Sequence, residues 1–202
     1  MSADNSTPQT TQAQKPQIQP KIPRTIWVLV GAAFIIALGY GLIAPVLPQF
    51  AGSFGVSMAA AGAVISIFAL ARLLGAPGAG RLVDKLGSRP IYLTGLLIVA
   101  GATFLVAFVN AYWQILALRF IAGFGSTMFT LSAQALIVRV THPSIRGRAN
   151  ALYASAFLVG NVVGPIIGAA LSFLGFRAPF VIYGLAVAGA AVAVGGLTQP
   201  LP

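Results

Sequence analysis

Six apolar runs, at about residues 26–48, 57–80, 90–109, 112–138, 148–173 and 178–197, leave this chain few ways to fold. Each holds the ~20 residues that a helix needs to cross a ~30 Å hydrocarbon core. Their hydrophobicity goes all the way round, whereas the strands of a membrane barrel alternate in polarity over short segments. Composition agrees: 58% of residues are hydrophobic and 7% charged, against about 25% charged in a soluble domain. Too few charges are present to cover a water-facing surface. The sequence therefore predicts an all-α membrane protein of six transmembrane helices, with the lipid bilayer as its solvent.

The net charge of +10 comes from twelve Lys and Arg residues set against two acids, Asp4 and Asp84. Excess charge of this sign also marks nucleic-acid binders, but here the bases sit in short clusters between apolar runs, as topology signals do. No nucleic-acid partner is expected. Placing the amino-terminal tail in the cytoplasm puts Lys15, Lys21, Arg24, Arg81, Lys85, Arg89, Arg139, Arg146 and Arg148 on that side, and only Arg177 on the other. Both termini are thus expected to be cytoplasmic, in a multi-pass protein of the cell (plasma or inner) membrane. Residues 1–24, rich in Gln, Thr and Pro, are expected to form a disordered cytoplasmic tail, too polar and too long for a signal peptide. Residues 25–198 form the bundle, and 199–202 the C-terminal end.

With no cysteine, disulfides and thiolate chemistry are excluded. The single histidine, His142, lies in a basic loop with no carboxylate near it, which suits a solvated residue better than a ligand or catalyst. No nucleophile–base pair, metal cluster or cofactor loop appears. The expectation is a protein that is not an enzyme, with no metal and no cofactor.

The chain also carries an internal repeat. A shift of 88 positions superimposes Pro77 on Pro165, Gly80 on Gly168, Leu86 on Leu174, Gly87 on Gly175 and Arg89 on Arg177. The two copies leave the second and fifth helices, three helices apart, and so face opposite sides of the membrane. Inverted repeats of three helices mark secondary transporters.

Four segments concentrate unusual residues. After the second run stands Gly80-Arg-Leu-Val-Asp84-Lys85-Leu-Gly87-Ser-Arg89. Gly80 is expected to allow close helix approach and Gly87 a tight turn. Asp84 can pair with Arg81, Lys85 or Arg89, or face a helix N-terminus, a contact suited to a conformational latch; the alternative is a loop that merely caps helices. In the first run, Gly39, Pro45 and Pro48 belong to Leu38-Gly-Tyr-Gly-Leu-Ile-Ala-Pro45-Val-Leu-Pro48, where two prolines can bend the outer end. The fourth run buries Arg119, which must face the bundle interior or water. Arg72 in the second run is the other intramembrane charge, placed two turns from the cytoplasmic end and able to snorkel there. In the fifth run, Gly160, Gly164 and Gly168 recur every four residues around Pro165, a smooth stripe for helix packing with an added bend.

These segments resemble, in order, motifs of the major facilitator superfamily. Gly80, Asp84, Lys85, Gly87 and Arg89 match its loop pattern Gly-x-x-x-Asp-basic-x-Gly-basic-basic, with Ser88 in place of a base. Arg119 with Gly123 and Gly125 is similar to a motif associated with proton coupling, with Ala122 at a position that is usually polar. The first-run and fifth-run strings look like those of the twelve-helix drug:proton antiporters, with Ala169 replacing the last glycine of the latter. The resemblance implies one six-helix half of a major facilitator fold in a 3+3 inverted repeat. It also implies proton-coupled efflux of small amphipathic compounds or drugs by alternating access. The alternatives are export of another solute such as a sugar or metabolite, and a non-transporting half-fold that is a fragment or interaction partner.

As the chain stops at Pro202, just past the sixth run, a second six-helix half, in cis or in trans, is an expected partner beside a small-molecule substrate and protons. No Asp or Glu lies in any run, so the proton carrier is expected in that second half, since the Arg119 guanidinium stays charged. Candidate cavity residues are Tyr40, Met128, Phe129, Gln134 and Asn161, with ordinary packing as the other possibility for each.

Overall fold

A computed structural model describes residues 20–197. Seven α-helices follow one another: α1 (Arg24–Ile43), α2 (Val46–Gly52), α3 (Met58–Leu86), α4 (Ser88–Val106), α5 (Tyr112–Val140), α6 (Arg146–Ala170) and α7 (Ala178–Leu197). All but the short α2 are long and apolar enough to span a membrane, so the six expected crossings are present. The expected tail falls largely outside the described residues, as do positions 198–202. Ile22 already packs against the core, so the chain joins the fold before residue 25.

The helices depart most from the apolar runs in the first two, each for a local reason. The first run is two helices: Ala44 still donates to the Tyr40 carbonyl at 2.9 Å, but Pro45 has no N–H to continue the ladder. Pro48 sits in the first turn of α2, where a missing donor is tolerated. The second run extends past residue 80 to Leu86, since charges end an apolar pattern without ending a helix. Only Gly87, at φ +88°, separates α3 from α4, and its backbone conformation needs glycine. The presumed loop is therefore the last turns of α3 and the first of α4. Arg72 stands midway along this longer α3 and is exposed.

The packing repeats as the sequence does. α1 pairs most extensively with α6, and α3 with α5; exchanging the triplets α1/α3/α4 and α5/α6/α7 converts one pairing into the other. Likewise α4 against α5 maps onto α7 against α1, and α4 against α7 maps onto itself. Gly175 adopts φ +84°, matching Gly87. α1 and α5 are central, with 56% of their span residues buried, whereas α3 and α6 bury only 28% and 22%. Those two helices carry exposed apolar flanks, including Leu70, Leu73 and Leu74 on α3 and Leu158, Val162 and Ile166 on α6.

Candidate functional site

All six spans meet at one cavity of about 140 Å³. α1 contributes Ile36 and Tyr40, α3 Phe68 and Arg72, α4 Val99 and Thr103, α5 Arg119, Ser126 and Phe129, α6 Phe157 and Asn161, and α7 Tyr183. On four of these helices the two lining residues are four positions apart, the spacing that stacks side chains on one face.

Arg119 is the chemical centre. It is 4% exposed, and its guanidinium carbon lies 4.3 Å from the centroid of the Phe68 ring, a cation–π contact. The Tyr40 ring tilts against the same Phe68 at 5.9 Å. The buried Arg119 Nε and the buried Thr103 hydroxyl have no hydrogen-bond partner among the described residues. Asn161 donates its amide to the Phe157 carbonyl at 3.0 Å. The Thr127 hydroxyl reaches the Arg72 carbonyl at 3.2 Å and holds α5 to α3 beside the cavity.

Glycines determine how closely the walls approach. A Cβ at Gly39 would overlap the Tyr183 ring, so this residue of the first-helix motif seats a cavity-lining aromatic. The stripe on α6 does what its spacing predicts. A Cβ at Gly160 would lie 2.7 Å from the Phe34 carbonyl oxygen, one at Gly164 would collide with that of Leu38, and one at Gly168 would lie 2.9 Å from that of Leu42. Three glycines four residues apart thus meet three α1 carbonyls four residues apart. Pro165 lies within the continuous α6, its Cδ against Gly41 at 2.9 Å from where a Cβ would stand.

The α3–α4 motif lies at the end of the bundle that holds both described chain ends, away from the cavity. Gly87 makes the turn. Arg89 donates to the Gly195 carbonyl at 2.7 Å, at the end of α7. Asp84 and Lys85 are exposed, and no ion pair to Asp84 occurs among the described residues. Gly80 meets nothing a Cβ would touch, so the expected close approach there is absent. The close-packed glycines of α3 lie instead on its seam with α5, where a Cβ at Gly75 would meet Phe124 and one at Gly123 of α5 the Phe68 carbonyl. His142 is exposed and caps the short 143–145 turn, accepting from the Ser144 amide.

Of the candidate cavity residues, Tyr40, Phe129 and Asn161 line it, while Met128 and Gln134 do not. Met128 faces Gly95 of α4, and Gln134 is exposed on the outside of α5. Phe68, Thr103, Phe157 and Tyr183 were not anticipated. Stepping back four residues from Arg72 and Asn161 would have found Phe68 and Phe157.

Residues 29–202 match the model of the Major Facilitator Superfamily. The chain belongs to that superfamily. Over 167 residues it is 34% identical to the multidrug resistance protein MdtG of Salmonella schwarzengrund, covering 80% of the chain and 41% of that protein. The same figures hold for MdtG of Escherichia fergusonii. Among solved structures, the human organic anion transporter MFSD10 (TETRAN) aligns at a TM-score of 0.74 with 22% identity, over 86% of this chain and 47% of that one. A peptide transporter POT in complex with sulfate aligns at 0.78 with 15% identity, over 88% and 39%. The chain therefore spans less than half the length of these relatives, and its six spans correspond to one half of a major facilitator fold. Membership also places it among transporters rather than enzymes.

Proposed function

We propose that this bundle is the cavity-bearing half of an exporter of small amphipathic compounds that works by alternating access. The observation that carries this is the meeting of all six spans at one aromatic-lined cavity containing a buried arginine. Likeness to proteins named for multidrug resistance supports the export of drug-like compounds. A cavity of about 140 Å³ falls short of the ~300–1,000 Å³ that encloses a drug-sized ligand. A second six-helix bundle against the bare flanks of α3 and α6 would supply the opposite wall. The excess of bases at the α3–α4 and α5–α6 connections favours a cytoplasmic location for that side.

Among the described residues Asp84 is the only acid, and it lies outside the cavity. Proton coupling then assigns the titrating carboxylate to the second bundle, with Arg119 biasing it electrostatically. The test is accumulation of fluorescent amphipathic dyes, some anionic and some neutral or cationic, in cells expressing the full-length protein. Expression should lower dye content, and a protonophore should restore it. Dye content unaffected by expression would refute export.

A further inference from the structure

We infer that the cavity selects compounds bearing a negatively charged head, such as a carboxylate, sulfonate or phosphonate, on an aromatic or apolar body. The inference rests on the exporter reading and specifies its substrate class. Two guanidinium groups, Arg72 and Arg119, line the cavity, and no carboxylate does. Arg119 is 4% exposed, so water screens it little, and a buried cation without a counter-charge is costly. The face of Phe68 at 4.3 Å offsets part of that cost through its quadrupole, but it satisfies none of the N–H groups. The Arg119 Nε is buried and unpartnered, and so is the Thr103 hydroxyl across the cavity on α4.

An oxyanion head answers both deficits. Its negative charge neutralises the guanidinium, and its oxygens accept from the planar fork and from the threonine. The rings of Tyr40, Phe68, Phe157 and Tyr183 then lie where the apolar body must go. A cationic head in the same place would face two like charges with no carboxylate to offset them, a juxtaposition that disfavours binding. The competing arrangement is an acid of the second bundle that permanently occupies the Arg119 fork.

Equilibrium binding to the purified full-length protein in lipid nanodiscs separates these arrangements. Three probes share one fluorescent body: dansylglycine is anionic, dansylamide neutral and dansylcadaverine cationic. Dansylglycine is expected to bind at least about tenfold tighter than either of the others, the discrimination of one charge-assisted contact. Arg119→Gln should abolish that preference and Arg119→Lys retain part of it. Arg72→Gln, on the exposed side of the cavity, should weaken dansylglycine alone by a few-fold. Equal affinity for the three probes, or a preference for the cation, would overturn the inference, and that measurement needs no variant to fold. Preference unchanged in Arg119→Gln would overturn it too. Efflux of neutral and cationic dyes with anions excluded would defeat this inference while leaving the exporter intact; absence of all efflux would instead defeat the reading on which it rests.

Discussion

Arg89 and Arg177, 88 positions apart, perform the same task at opposite ends of the bundle. Arg89 donates to the carbonyl of Gly195 at the end of α7, and Arg177 to that of Ala107 just past the end of α4. The two acceptors are themselves 88 positions apart. Each arginine also meets the negative end of a helix dipole, where a cation is favoured. Arg177 adds the Val109 carbonyl at 3.2 Å and lies 5.5 Å from the Phe50 ring. The repeat detected as five matched letters is therefore a repeat of contacts, and each half of the bundle closes the other.

Removing either clamp should lower stability measurably. Arg89→Ala and Arg177→Ala are each expected to cost about 1–2 kcal/mol, the value of a charge-assisted hydrogen bond with its dipole term. Because the two sites lie at opposite ends, the double variant should show the sum. Thermal unfolding of the detergent-purified protein checks this; a double variant no worse than one single would mean the clamps are not independent.

The α1–α6 seam predicts a contrast between glycines of the same sequence type. Gly164→Ala drives a methyl group into the Leu38 carbonyl, and Gly160→Ala sets one against Phe34. Overpacking of this kind costs about 1–3 kcal/mol. Gly78→Ala on α3 meets nothing and should be neutral or slightly stabilising. Monodisperse yield in size-exclusion chromatography ranks the three, and equal yields would show that α6 carries no tight seam.

The sequence displayed the fold far better than the site. Span number follows from free energies summed over about twenty residues at a time, so no single position can mislead it, and the inverted repeat was legible because its five matched residues keep one 88-position register. The glycine stripe was legible because its spacing equals a helical repeat. The boundary at residue 80 failed because hydropathy reports the end of the lipid-facing surface, and α3 continues through Arg81, Asp84 and Lys85 to a backbone breaker at Gly87. Met128 and Gln134 failed because the rotation of a helix about its axis is set by its neighbours: α5 is apolar on nearly every side. Tyr183 was hidden for a similar reason, since its place depends on the missing side chain of Gly39 on another helix.

That dependence makes Gly39 a test of cavity shape. Gly39→Ala leaves α1 helical but displaces the Tyr183 ring, which lines the cavity. Dye efflux is expected to fall at least about tenfold, the scale of a 1.4 kcal/mol change, with surface expression retained. Tyr183→Leu should restore part of the efflux lost by Gly39→Ala, because a smaller side chain accommodates the new methyl group. Two substitutions whose effects simply add would place the damage elsewhere.

Asp84 separates a latch from a cap. It is exposed and forms no ion pair among the described residues, so the bundle itself gains little from its charge. Asp84→Asn is expected to change thermal stability by less than about 0.5 kcal/mol, as surface substitutions do. If the carboxylate engages the second bundle in only one transport state, the same variant should lose most dye efflux at normal expression. Asp84→Glu should recover part of it, since charge matters there more than shape. The two measurements must diverge for the latch to hold: full efflux from Asp84→Asn would reduce the motif to the turn at Gly87 and the clamp at Arg89.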